Sequence, residues 1–270
     1  MHSPPGPDDP GAPWRTPAAY FYALDLDGPA LAWEYLRRHP GYRDCWSDHR
    51  RRRLEATTTR WGLRGELEDP HLDARHAQPL WNSEPATLLH AHAISMPAAP
   101  VGSALRFWDI PGRKRIAHTG ADLLLTAAAG PHWLRVAFAR DLDDGAACHC
   151  TVPLGPRLRA RLAQFQAQAE VIRGRALAPP VARRAARAPV LHLRALQALD
   201  AAQAGATHRD IAEAVLGSDA VRSRWSADSE LRAQVRHLLA RAEGLMRGGY
   251  LALAGVRRPH PGAPGDEPGV

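Results

Sequence analysis

The sequence predicts an α+β fold with three parts: a small, aromatic-rich helical N-terminal domain, a short antiparallel β meander, and a C-terminal helical domain of helix-turn-helix type. Three observations carry this expectation. Residues 207–250 show apolar residues at helical spacing, interrupted by glycine; residues 103–154 break into short apolar runs separated by Pro-Gly, Thr-Gly, Gly-Pro and Asp-Asp-Gly; and Trp14, Trp33, Tyr35, Tyr42, Trp46 and Trp61 are crowded into one short segment. The expected boundaries are 1–13 disordered, 14–80 the helical N-terminal domain, 81–102 a linker, 103–155 the meander, 156–254 the C-terminal domain and 255–270 a disordered tail. Both ends are rich in Pro and Gly, a composition that buries little apolar surface.

From the N-terminus, the run AAYFYAL is apolar and aromatic, and 25–28 read as a turn. Pro29 is suited to a first helical turn, Leu31, Trp33 and Leu36 continue the period, and His39-Pro40 stops it. The aromatic cluster reads as the core of a small domain, with a stacking platform for bases as the alternative. RDCWSDHRRRRLE looks helical, and Arg50 to Arg53 surround a helical turn, so at least one must meet solvent or an acidic partner. Phosphate contact is open to these residues and to Arg37 and Arg38, against a solvated charged face.

In the middle, LRFWDI, ADLLLTAAA, HWLRVAFA and CHCTVPL are the meander strands. Cys148-His149-Cys150 would place two thiols on one side of a strand, but no second ligand pair stands at zinc-finger spacing, so no metal site is expected. Asp141, Asp143 and Asp144 read as a turn rather than a cation site. After Pro156, Leu158, Leu162, Phe165 and Val171 return to helical spacing; PPVARRAARAP reads as a linker or helix lead-in, and 190–204 as a bracing helix.

The most telling part follows. Thr207 can cap a helix that carries Asp210 and Glu213 in its first turns, where the dipole favours negative charge. Ile211, Ala214 and Val215 give it an apolar face, and Gly217 ends it. Residues 218–227 read as a loop longer than a standard turn, with Trp225 folded back into the core. A second helix begins near Asp228 or Ser229, with Leu231, Val235, Leu238, Leu239, Leu245 and Met246 as its buried stripe and a Gly248-Gly249 stop. Arg232, Arg236 and, a turn further on, Arg241 are expected to share a face suited to phosphates or a guanine edge. The candidate DNA-contacting set is Arg209, Arg222, Arg224, Ser229, Arg232, Arg236, His237, Arg241 and Arg247.

The segments HLRALQALDAAQAGATHRDIAEAVLG and LRAQVRHLLARAEGLMRGGY resemble the C-terminal domain of unknown function 2285 of proteobacterial regulators, many of them carried on integrative and conjugative elements. WRTPAAYFYALDLDGPALAWEYLRRHPGYRDCW, continued by WGLRGELEDP, resembles the transcriptional regulator domain that often precedes it. The resemblance spans most of residues 14–250 and is weakest over 85–155. It implies a divergent helix-turn-helix and a transcriptional activator associated with a mobile element. It also implies an alternative: an antiactivator that keeps the fold and binds a related regulator instead of specific DNA.

Charge agrees with a polyanionic partner. Residues 1–110 hold 12 Arg against 14 Asp and Glu, whereas 111–270 hold 23 Lys and Arg against 14 Asp and Glu, so the positive excess lies in the half that carries the helix pair. Of the 35 basic residues, 34 are Arg, which with abundant Ala and Pro also suits a GC-rich genome. No apolar run approaches a membrane span and the start lacks a signal pattern, so a cytoplasmic, nucleoid-associated protein is expected. Phosphate-binding, dinucleotide, zinc-protease and nucleophile-elbow motifs are lacking, and His71, His76, His90 and His92 form no ligand set. The expectation is therefore a non-enzyme with no cofactor and no metal, whose partner is double-stranded DNA. RNA polymerase, a related regulator and a second copy of the chain are further partner candidates.

Overall fold

The computed structural model describes residues 13–52, 58–83, 88–94, 104–120, 122–129, 132–152, 158–172, 187–226 and 230–257. Expectations for residues 1–12, for the tail beyond 257, for Arg53 and for Asp228 and Ser229 lie outside these residues.

The N-terminal region opens with two 3-10 turns, Pro13–Arg15 and Pro17–Leu24. Asp27 caps α1 (Gly28–Leu36), its carboxylate accepting the Ala30 N–H at 3.0 Å, with Pro29 in the first turn where its missing donor costs nothing. His39 lies at the predicted break, and α2 (Pro40–Arg52) begins at the proline.

Among the described residues five strands form one sheet: β1 (Leu89–Ala93), β2 (Arg113–His118), β3 (Asp122–Ala129), β4 (His132–Ala139) and β5 (Cys148–Thr151), in the order β2-β3-β4-β1-β5. The β2-β3-β4 part is the expected antiparallel meander. The rest corrects the reading: a strand lies in the expected 81–102 linker, inserted between β4 and β5 and parallel to β4. Its sequence, LHAHA, turns Leu89 and Ala91 into the core, while His90 and His92 fall on the other face. With alanine as half of the apolar face, the alternation is nearly silent.

One sheet face presents Leu125, Leu134, Val136 and Phe138 to Phe165 and Val171 of α3 (Leu158–Ile172), which makes a core of its own. The opposite face meets the N-terminal region: Trp133 packs on its core, Arg135 pairs with Asp27, and Gln78 donates to the Arg113 carbonyl at 2.9 Å.

Four further helices follow: α4 (Arg187–Gln203), α5 (His208–Leu216), α6 (Ser218–Arg224) and α7 (Glu230–Gly244). The expected stop at Gly248-Gly249 is instead a kink. A wide turn, Leu245–Gly249, leads into α8 (Tyr250–Leu253).

The aromatic cluster is core, as its density predicts, but not the core of an isolated domain. Trp33, Tyr35, Leu36, Tyr42 and Trp61 pack with Leu193, Leu196 and Leu199 of α4 and with Met246 and Tyr250 beyond α7. Trp14 belongs to a different cluster, among α4, α5 and α7.

A polar clamp fastens the same junction. Arg38, 3% exposed, grips Asp200 of α4 with Nε to Oδ1 at 2.6 Å and Nη2 to Oδ2 at 2.8 Å, and its third arm reaches Glu34. Tyr20 donates to Asp200 at 2.7 Å, and the Ala74 N–H to Glu34 at 2.7 Å. Burial alone would raise both carboxyls; the guanidinium of Arg38, with Arg37 behind it, holds them below their ordinary values. Arg37 and Arg38 are thereby removed as phosphate contacts, since Arg37 also spends its guanidinium on Glu34 and the Pro70 carbonyl.

Candidate nucleic-acid interface

The C-terminal helices are positioned by local chemistry that the sequence spells out. Thr207 and Asp210 form a reciprocal capping box at the start of α5, and the bond from Thr207 pulls the Asp210 carboxyl below its ordinary value. Ile211, Ala212 and Val215 turn inward against Ala198 and Ala201 of α4 and Val235 and Leu239 of α7. Gln197, 1% exposed, crosses this core, donating to the carbonyls of Trp14 at 2.9 Å and Ala214 at 3.2 Å. The brace helix thus orients α5 through a directed bond as well as by contact.

The expected loop at 218–227 is largely helix. Gly217, at φ +98° and ψ 141°, turns the chain in a single residue, and α6 starts at once, anchored by its one buried residue, Val221. The tightly joined helices are therefore α5 and α6, with α7 as the helix that follows. Trp225 leaves α6 and packs on the core, as expected.

Arg222 and Arg224 stand exposed at the end of α6, and Arg232, Arg236, His237, Arg241 and Arg247 are exposed along α7 and just beyond it. Arg209 is exposed at the start of α5. Several are bound to an acidic neighbour about one turn away: Arg209 to Glu213 at 3.3 Å, Arg222 to Asp219 at 3.1 Å, Arg247 to Glu243 at 3.2 Å. Pairs this exposed contribute little and give way readily to a phosphate. Arg236 and Arg241 have no ion-pair partner among the described residues.

One expectation about this face fails. Five residues of α-helix turn the chain by about 140° from its starting direction, so Arg241 cannot share a face with Arg236. Arg241 and His237 instead line a groove with Arg187 and Arg194 of α4, whereas Arg232 and Arg236 stand outside it. The exposed arginines left for a duplex are Arg222 and Arg224 of α6 and Arg232, Arg236 and Arg247 on and just beyond α7.

Residues 151–254, the stretch holding these helices, match the RovC DNA-binding-domain family, described as a T6SS transcription factor DNA-binding domain. Residues 13–64 match the proteobacterial transcriptional regulator-like domain. No curated protein matches the chain. The C-terminal description names a DNA-binding domain and not the domain of unknown function 2285. Together the two matches support a DNA-binding transcriptional regulator, and they place the DNA-binding match on the half with the positive excess.

The other candidates assemble nothing chemical. His90 and His92 stack at 6.3 Å and His149 lies 5.7 Å from His92, yet among the described residues no group of His, Cys, Asp or Glu could hold a metal ion. Burial holds the Cys148 thiol above its ordinary value and, with Cys148 beside it, pushes Cys150 up to about 11. Among the described residues no helix is long and apolar enough to cross a membrane.

Proposed function

We propose that the protein is a sequence-specific DNA-binding transcriptional activator that works in the cytoplasm on the nucleoid and serves a mobile element. The observation that carries this reading is the set of exposed arginines on α6 and α7, on the segment that matches a transcription-factor DNA-binding domain. Arg232 and Arg236 are assigned to base edges or adjacent phosphates, and Arg222, Arg224 and Arg247 to the backbone. The activator role and the element rest on the resemblance to regulators that carry the domain of unknown function 2285. The N-terminal region, matched to a transcriptional regulator-like domain, is assigned to contact with RNA polymerase or a second copy of the chain.

The antiactivator reading draws support from one observation: Arg209, Arg222 and Arg247 each carry an acidic neighbour, which lowers the net charge a duplex would meet. A mobility-shift assay on DNA upstream of the protein's own locus separates the two. The activator reading expects specific binding by the wild type and its loss in Arg232→Ala/Arg236→Ala with an unchanged thermal melt. Binding by neither protein, together with capture of a related regulator, establishes the antiactivator.

A further inference from the structure

The groove that takes Arg241 away from the arginines left for a duplex has a chemistry of its own. It encloses about 700 Å³ between the first turns of α4, the end of α5 and the middle of α7. Spaces of this size hold small organic ligands. Its lining is divided: Val190, Leu191, Val215, Leu216, Val235 and Leu238 are aliphatic, and Arg187, Arg194, His237 and Arg241 are basic. Among the described residues that line it, only Gln234 falls outside those two groups, and none is a carboxylate.

Two physical facts decide what such a groove fits. Arg187, Arg194 and Arg241 have no ion-pair partner among the described residues, unlike Arg209, Arg222 and Arg247. The aliphatic residues Val190, Leu191, Leu216 and Leu238 are only half-buried, leaving a connected apolar surface that water covers at a cost. A phosphate backbone would satisfy the cations and waste the floor; a neutral hydrocarbon would do the reverse. An ion with an apolar body and one anionic end satisfies both.

We propose that this groove binds an amphiphilic anion, a carboxylate on an aliphatic chain or comparable apolar body, with Arg194 and Arg241 holding the anionic end and Leu191, Val215 and Leu238 the body. Arg187 adds to the positive potential at the rim, where His237 offers a ring nitrogen for hydrogen bonding. The proposal does not rest on DNA binding, because the residues it uses lie apart from Arg232 and Arg236.

The test is calorimetric titration of the full chain with decanoate below its micellar concentration, with decylammonium as the charge-reversed probe. Expected are saturable one-site binding of decanoate, binding of decylammonium at least tenfold weaker, and at least a tenfold loss for decanoate in Arg194→Glu/Arg241→Glu. Arg187→Glu/Arg194→Glu should show the same loss, which guards against a folding defect in one variant. Arg232→Ala/Arg236→Ala should bind decanoate as the wild type does, so failure of the groove and failure of the DNA contacts are distinguishable. No saturable heat, equal binding of the two probes, or undiminished binding by both folded groove variants overturns the proposal.

Discussion

Replacing Asp200 tests whether the N-terminal region and the DNA-matched helices are one cooperative body. The carboxylate accepts two bonds from Arg38 and one from Tyr20, at 2.6, 2.8 and 2.7 Å, and Arg38 is almost fully buried. Breaking one partner out of a buried ion pair costs about 3–5 kcal/mol, because the remaining charge stays desolvated. Here Glu34 still faces the guanidinium after the change, which puts Asp200→Asn near the lower end, about 3 kcal/mol. Asp200→Ala also strands the Tyr20 hydroxyl and belongs near the upper end, about 4–5 kcal/mol. Urea unfolding followed both by tryptophan fluorescence, which reports mostly the aromatic N-terminal region, and by far-ultraviolet circular dichroism, which reports the helices, should give two coincident transitions shifted together. A change below about 1 kcal/mol for Asp200→Ala, or two transitions that separate in the wild type, would refute the shared-body argument.

Other expectations follow from the same physics. Five exposed arginines neutralising one phosphate each give a slope of log affinity against log salt of about −4.5, and Arg236→Ala should lower its magnitude by about 1; fluorescence anisotropy across salt concentrations checks this, and an unchanged slope removes Arg236 from the interface. Gly62 sits at φ +72° where an added Cβ would fall 2.5 Å from Leu251 and 3.3 Å from Val256, so Gly62→Ala should lose about 2–3 kcal/mol, read as a lower urea midpoint. On acidification, His39 and His192, both depressed first by burial and then by nearby arginines, contribute stability that is present above 6.5 and lost as pH falls through their lowered folded values. Glu34 and Asp200 are also depressed, so their contribution is present above 4.5 and 3.8 and disappears as pH falls further. Melting temperature against pH should therefore show two descending steps, and a single step below pH 4 would show that the histidines take no part.

What could be read in the chain and what could not divides along physical lines. Thr207 with Asp210 in its first turn, and Pro29 at a helix start, act within one turn, so sequence alone exposes them; the Asp27 cap, read only as part of a turn, came from the structure. The α7 stripe was legible for the same reason: Leu231, Val235 and Leu239 are buried as their spacing requires. The seven residues of α6 carry a single buried anchor, Val221, and show no period to detect. Strand β1 is held by a parallel partner more than forty residues downstream, a pairing no local pattern announces. Arg38 has the composition of a surface residue and the location of a core one, because its partner Asp200 is 162 positions away. The misplacement of Arg241 was different in kind: its five-residue offset from Arg236 was available in the sequence, and helical geometry already ruled out a common face.

The long reach of the clamp bears on how the chain is made. Tyr20 meets Asp200 across 180 residues, which ribosomes take roughly 9–36 s to polymerise at 5–20 residues per second. Through that interval Trp33, Tyr35 and Leu36 have been synthesised without the α4 leucines that cover them, and Arg38 without Asp200. The nascent segment is thus a sticky amphipathic stretch awaiting its lid, a natural client for the chaperones that greet emerging polypeptides, and a premature stop anywhere before α4 leaves a product without that cover.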